Sequence, residues 1–122
     1  MKVAIDGPAG AGKSTIARML AGALGFTYID SGAMYRCVAL ASRERGIAPD
    51  DAETLGRLSE ALEISFTPAE NGQRVILDGA DVTDAIRTPD ISALASRVSA
   101  HGDVRRAMVA LGRALGARVD CV

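Results

Sequence analysis

Val3-Ala4-Ile5-Asp6-Gly7-Pro8-Ala9-Gly10-Ala11-Gly12-Lys13-Ser14-Thr15 decides the fold. An apolar run ends at Gly7-Pro8, as a buried strand does when it enters a loop. Residues 7–14 then satisfy G-x-x-x-x-G-K-[ST], the pattern of a phosphate-binding loop. The spacing has a chemical reason. A loop that wraps a triphosphate must turn several N–H groups inward, and glycine permits the close backbone approach this needs. The helix that opens near Lys13 aims its positive end at the same phosphates. Lys13 reaches the β- and γ-phosphates, and the Ser14 hydroxyl is placed for Mg²⁺. Lys2 and Lys13 are the only lysines among 14 basic residues, so Lys13 in this loop is not casual. The expected ligand is ATP with Mg²⁺, held by Gly7, Pro8, Ala9, Gly10, Ala11, Gly12, Lys13, Ser14 and Thr15.

Working outward, Ile16, Leu20, Ala23 and Leu24 share one helical face and Gly25 closes the helix. Phe26-Thr27-Tyr28-Ile29 is β-rich and predicts a second strand ending at Asp30. Strand, helix and strand within thirty residues make a βαβ unit, hence a parallel pair of strands. A second helix is expected over residues 31–45, with Ser31 as N-cap and Gly46 beyond its end. Asp50 and Glu53 resemble a capping box, and Leu55, Leu58 and Leu62 stripe the next helix. Ile64 and Phe66, then Val75 and Leu77, alternate with polar residues across an Asn71-Gly72 turn, a β-hairpin pattern. Thr88-Pro89 reads as N-cap and first helical residue, with Ile91, Leu94 and Val98 on one side. Asp103 is expected to cap a last helix carrying Val104, Met108, Leu111 and Leu115.

The fold class is therefore α/β, with a parallel sheet and a helical plus β-hairpin insertion after the second strand. Residues 1–36 form the phosphate-loop core, 37–102 the insertion, and 103–122 the return to the core. An open parallel sheet usually has about four to six strands. Two are clear here and residues 118–122 offer the start of a third, so the sheet is expected to be incomplete.

Composition narrows the classes of function. The chain is 48% hydrophobic and 24% charged, as an ordinary globular protein is. Aromatics are only 3%, so Ala, Leu, Ile and Val must build the core. A formal charge of −1 and no basic run beyond Arg105-Arg106 give no expectation of binding a nucleic acid polymer or an anionic membrane. No apolar window approaches the ~18–20 residues of a membrane span. Asp6 and the glycines interrupt any signal-like N-terminus, so a cytoplasmic location is expected. Cys37 and Cys121 lie far apart and are expected to be reduced thiols.

The phosphate loop fixes a class of ligand but not a reaction, since GTPases, motor and transport ATPases and small-molecule kinases all carry one. Asp30-Ser31-Gly32-Ala33-Met34-Tyr35-Arg36 follows the second strand, whose carboxyl end should overlook the γ-phosphate. Ser31 offers a hydroxyl and Arg36 a planar fork, which suits an acceptor that itself carries a phosphate. The alternative has Ser31 as a plain N-cap and Arg36 as a solvated surface residue. No Asn-Lys-x-Asp guanine-reading segment occurs. His101, the sole histidine, falls in a turn and reads as solvated. In-line transfer between held phosphates requires no general base.

Ile5-Asp6-Gly7-Pro8 with the loop, and Tyr28-Ile29 followed by residues 30–36, strongly resemble the bacterial cytidylate kinases. So do residues 77–88, Ala95-Ser96-Arg97-Val98-Ser99 and Val104-Arg105, and the resemblance spans almost the whole chain. It implies a P-loop NTPase fold, three-layer α/β/α, and transfer of the γ-phosphoryl group of ATP to CMP or dCMP. Carried over, Ser31 and Arg36 contact the phosphate and sugar of CMP, while Ser96 and Arg105 help read the cytosine edge. By themselves Ser96 and Arg105 would be helix-surface residues. Arg87 matches the family's Ile-Arg-Thr, either as a phosphate contact or in a salt bridge. A full-length member is expected to be a monomer. The family's Asp-Gly-Arg-Asp segment and arginine-bearing lid do not occur in these residues. Gly112-Arg113 replaces Gln-Arg, and His101-Gly102-Asp103 replaces a Pro-containing turn. The chain thus resembles the N-terminal part of the enzyme, and these 122 residues alone are expected to have little or no kinase activity.

Overall fold

A computed structural model describes residues 29–70 and 72–118. The predicted strand at 3–6, the phosphate loop, its helix and most of the second strand lie outside these residues. The described elements are α1 (Ser31–Glu44), α2 (Ala52–Ala61), β1 (Ile64–Ala69), β2 (Gly72–Leu77), β3 (Ala80–Asp81), a 3₁₀ turn (Ala85–Arg87), α3 (Pro89–Val98) and α4 (Gly102–Arg118). The order is α/β, and the described sheet is antiparallel, β1-β2-β3.

Helix α1 is the centre of the packing. Ala33, Met34, Cys37, Val38, Ala39, Leu40 and Ala41 are all buried, so apolar residues cover most of its circumference. It packs against α3 and the 3₁₀ turn, and touches α2 and α4, while α2 packs against α4. The other helices bury one stripe each, as the periodicity predicts. Leu55 and Leu58 lead inward from α2, with Leu62 at its cap, and Ile91, Ala95 and Val98 from α3. On α4, Val104 and Met108 are buried, and Leu111 packs on the core half-buried. No described helix is long and apolar enough to cross a membrane.

The hairpin has the expected register, Phe66 opposite Val75 and Ile64 opposite Leu77. Its connection is residues 70–71 rather than Asn71-Gly72, because Gly72 pairs with Ala69 and already belongs to β2. The sequence pattern missed β3, which pairs Ala80 with Leu77. Between them Asp78 and Gly79 have φ of 49° and 85°. Two consecutive left-handed residues make the tight turn that matches strand twist, and Asp-Gly is a preferred pair for it. Thr83 then locks the ribbon. Its buried hydroxyl accepts from Val75 N–H at 2.8 Å and donates to Asp81 Oδ1 at 2.6 Å. Arg74 Nε donates to the other oxygen of Asp81 at 2.8 Å. The Arg74 bond, aided by Thr83, holds the Asp81 carboxyl well below the usual carboxylate range.

Helix ends depart from expectation in five places. Asp30, not Ser31, is the N-cap of α1, and Arg45 is its C-cap rather than its last residue. Asp51, not Asp50, caps α2, accepting from Thr54 N–H, and Glu53 pairs with Arg57 instead of closing a capping box. In both cases the carboxylate nearer the first helical residue reaches the third N–H, which is where capping geometry places the acceptor. Asp103 lies inside the first turn of α4 and pairs with Arg106. Residue 118 is still helical, and the rest of the expected third strand, residues 119–122, lies outside the described residues. Thr88 caps α3 with Pro89 first, as expected.

Gly56 explains how α2 and α4 come so close. It is buried, and a Cβ there would stand 2.8 Å from Cβ of Asp103, closer than carbon atoms can pack. Alanine at this helical position would gain ~1 kcal/mol of intrinsic propensity. The overlap outweighs that gain, so Gly56→Ala is expected to cost about 1–2 kcal/mol net, read from the urea unfolding midpoint.

Candidate active site

The start of α1 gathers the described groups that suit a phosphate. Asp30 has extended backbone, φ −88° and ψ 96°, and its Oδ1 accepts the N–H of Ala33 at 3.1 Å. Its carbonyl accepts the N–H of Met34 at 3.1 Å. Because Asp30 serves as cap, Ser31 is released from that duty and becomes the first helical residue. Its side chain is exposed and makes no hydrogen bond among the described residues. The N–H groups of Ser31 and Gly32 belong to the first turn, where a helix supplies no partners of its own. They point along the axis with the positive end of the helix dipole.

Arg36 stands one turn further on, half-buried, and forms no ion pair among the described residues. Its guanidinium lies over Gly32: a Cβ at position 32 would be 3.7 and 3.9 Å from Nη2 and Nη1. The solvated-surface alternative expects full exposure at Arg36, where the side chain is half-buried. The arrangement can therefore offer a hydroxyl, two N–H groups and a guanidinium to one anion.

Directly behind lies Cys37, fully buried. Desolvation pushes its thiol up to about 12, helped by the charges of Asp30 and Asp78 and opposed by Arg36. Asp78 itself ties the hairpin base, exchanging backbone and side-chain hydrogen bonds with Glu63 at 2.8 Å. A thiol raised this far keeps its proton in the folded chain after the unfolded chain has lost it. Stability should thus fall as pH rises from about 9 towards 12, by at most ~1.4 kcal/mol per unit. Urea midpoints across this range should show the extra slope in the parent chain and lack it in Cys37→Ala.

Ser96 is exposed on α3, its hydroxyl 3.4 Å from the carbonyl of Ser92, a weak contact. Arg105 is exposed on α4, and forms no ion pair among the described residues. Arg87 ends the 3₁₀ turn, exposed and likewise without an ion pair among them. No hydrogen bond or ion pair joins Ser96 or Arg105 to Ser31 or Arg36. What connects them is packing, since α3 lies along α1. Residues 7–15, with Lys13 and Ser14, lie outside the described residues, as does Cys121.

Two residues here escaped the sequence reading. Asp30 was assigned to a strand end, although an Asp three residues before a free N–H is a capping signal in its own right. His101 is half-buried rather than solvated, with Nε2 2.7 Å from the carbonyl of Pro49. No local signal announces a contact between groups so distant in sequence.

The sequence profile described as cytidylate kinase matches residues 3–122. The chain is 52% identical over 114 residues to the cytidylate kinase of Syntrophotalea carbinolica, covering 93% of this chain and 48% of that protein. It is 46% identical to that of Halalkalibacterium halodurans over 122 residues, all of this chain and 55% of the relative. Against the Geobacter sulfurreducens cytidylate kinase it is 55% identical over 111 residues, 91% and 48% respectively. The chain thus spans about half the length of these curated relatives. With a profile match across nearly every residue and an anion-suited helix start in the described part, the chain belongs to the cytidylate kinase family.

Proposed function

We propose that the protein transfers the γ-phosphoryl group of ATP to CMP or dCMP, giving ADP and CDP or dCDP. The observation that carries this reading is the start of α1. In a chain of this family, Asp30 takes the capping role, and among the described residues Ser31 makes no side-chain hydrogen bond and Arg36 no ion pair, beside the first-turn N–H groups of Ser31 and Gly32. Ser31 and Arg36 hold the acceptor's phosphate and sugar region. Ser96 and Arg105 read the cytosine edge, whose acceptors and amino donor suit a guanidinium and a hydroxyl. Residues 7–15 hold ATP, and the Ser14 hydroxyl, a hard oxygen donor, suits Mg²⁺.

In the reaction an oxygen of the acceptor phosphate attacks the γ-phosphorus as the bond to the β-phosphate oxygen breaks. The protein's task is to align two anions that repel each other and to neutralise the charge that moves. Lys13 follows that charge onto the leaving β-phosphate. Mg²⁺, when bound, shares the neutralisation. We place these roles on a P-loop NTPase framework, a parallel sheet in three layers. Its phosphate-loop core is residues 1–36, its acceptor-binding insertion 37–102, and 103–122 return to the core. Helix α1 runs unbroken across residue 36 and so couples the donor side to the acceptor side. The working state is a cytoplasmic monomer, with no nucleic acid polymer or membrane as partner.

The test is a substrate panel on the full-length protein with ATP and Mg²⁺: CMP, dCMP, UMP, AMP and shikimate. CMP or dCMP should exceed AMP in kcat/KM by at least ~10²-fold, as a pocket that hydrogen-bonds its base allows. Faster turnover of AMP or shikimate would assign a different phosphoryl acceptor. ATP binding without turnover of any acceptor would make the protein a nucleotide-binding remnant.

A further inference from the structure

The side chain of His101 ties the turn between α3 and α4 to the loop between α1 and α2, 52 residues away in sequence. A carbonyl oxygen only accepts hydrogen bonds, so Nε2 carries the proton and donates it to the carbonyl of Pro49 at 2.7 Å. The loop that receives this bond is itself anchored. Ile47 packs on the core, and its N–H donates to the carbonyl of Ser42 at 2.9 Å. The backbone of His101 serves the two helices beside it. Its N–H donates to the carbonyl of Val98, the last residue of α3, at 3.2 Å. Its own carbonyl accepts the N–H of Arg105 at 3.1 Å, the bond that begins α4. One residue thus joins the end of one helix, the start of the next and a distant loop. Beyond the turn, Val104 is fully buried and Asp103 lies against Gly56 of α2.

We propose that His101 is a positioning residue for base recognition, its side-chain bond to Pro49 fixing where α4 begins and so where Arg105 stands relative to Ser96. This rests on the reading of Ser96 and Arg105 as the contacts to the cytosine edge. The two are exposed and lie on different helices, Ser96 five residues before His101 and Arg105 four after it. No hydrogen bond among the described residues joins them. The turn between the helices therefore sets their spacing, and the His101–Pro49 bond secures that turn from outside. Without it, Val104 and the contact of Asp103 with Gly56 keep α4 on the core, while its first turn loses an anchor next to Arg105. An ångström of misplacement is costly for a side chain that must meet a base edge held at its other end.

The experiment compares His101→Leu, His101→Gln, Arg105→Met and the double variant in the full-length protein, measuring kinetics with CMP, UMP and ATP together with melting temperature. CMP and UMP share phosphate and ribose and differ at the base edge, so the ratio of their kcat/KM values isolates recognition of the base. Leucine keeps much of the bulk and removes the donor. His101→Leu should raise KM for CMP and lower the preference for CMP over UMP, each about tenfold, with KM for ATP unchanged. Its melting temperature should fall by a few degrees, the loss of one half-buried hydrogen bond. Glutamine sets an amide nitrogen as many bonds from the backbone as Nε2, so His101→Gln should restore the preference to within about twofold of the parent. In the Arg105→Met background, His101→Leu should lower the preference no further. An unchanged preference in His101→Leu, beside a lowered one in Arg105→Met, makes His101 a structural tie alone and overturns the proposal. A glutamine variant no better than the leucine one overturns it too, as does a second fall of the preference in the double variant. If Arg105→Met itself leaves the preference unchanged, the base contact is misassigned and the inference falls with it.

Discussion

Replacing Lys13 with methionine in the full-length protein should lower kcat for CMP phosphorylation by roughly 10²–10³-fold, the cost of removing one well-aimed charge from a developing anion. In the proposed role the ammonium group would reach the β- and γ-phosphates, and its interaction would strengthen as negative charge moves onto the leaving oxygen. That makes it a contact worth more in the transition state than in the ground state, and such contacts appear in kcat. Methionine keeps the length and apolar stem while deleting the charge. KM for CMP should change little, since the grip proposed for the acceptor is at Ser31 and Arg36. Initial rates of ADP release over a matrix of ATP and CMP concentrations separate the two parameters. A variant with kcat within a few-fold of the parent would remove Lys13 from the chemistry.

How far the sequence reached is clearest where local and tertiary forces divide. The helical stripes of α2 and α3 and the hairpin register were legible because they repeat every 3.6 or every two residues. Leu55, Leu58, Ile91 and Val98 are buried as those periods require. Helix α1 was foreseen as a helix but not as the hub. Its run of Ala, Val, Leu and Cys is buried on nearly every side, and periodicity says nothing when all faces are apolar. The short strand at Ala80 was missed because two residues carry no alternation to detect, although Asp78-Gly79 beside it is a turn signal.

The site divides in the same way. Ser31 and Arg36 follow from a polar motif at a strand end, and the described geometry keeps both uncommitted. The choice of cap was misjudged between two adjacent good capping residues, Asp30 and Ser31, because propensity barely separates them. The geometry that resolves it depends on where the preceding chain enters the helix. Ser96 and Arg105 gained their roles from family resemblance alone, since exposed helix positions carry no physical signal of a ligand.

Arg36→Met should raise KM for CMP about 10²-fold and leave kcat reduced by less, the scale expected when one side of a partly desolvated charge pair is lost. The guanidinium is half-buried against Gly32 and forms no ion pair among the described residues. In the proposed role a phosphate there would meet two parallel N–H donors, and such contacts would persist from ground state to transition state. An interaction uniform in both states acts on KM, the opposite signature to that of Lys13. Arg36→Lys sharpens the point. It restores the charge without the fork, so it should recover about tenfold of the loss and no more, because a lysine binds phosphate as a point charge. Titrating CMP at saturating ATP gives both constants, and the melting temperature checks that α1 stays in place. A lysine variant equal to the parent would reduce the role of Arg36 to simple charge. A methionine variant with unchanged KM would move the acceptor's phosphate away from α1 altogether.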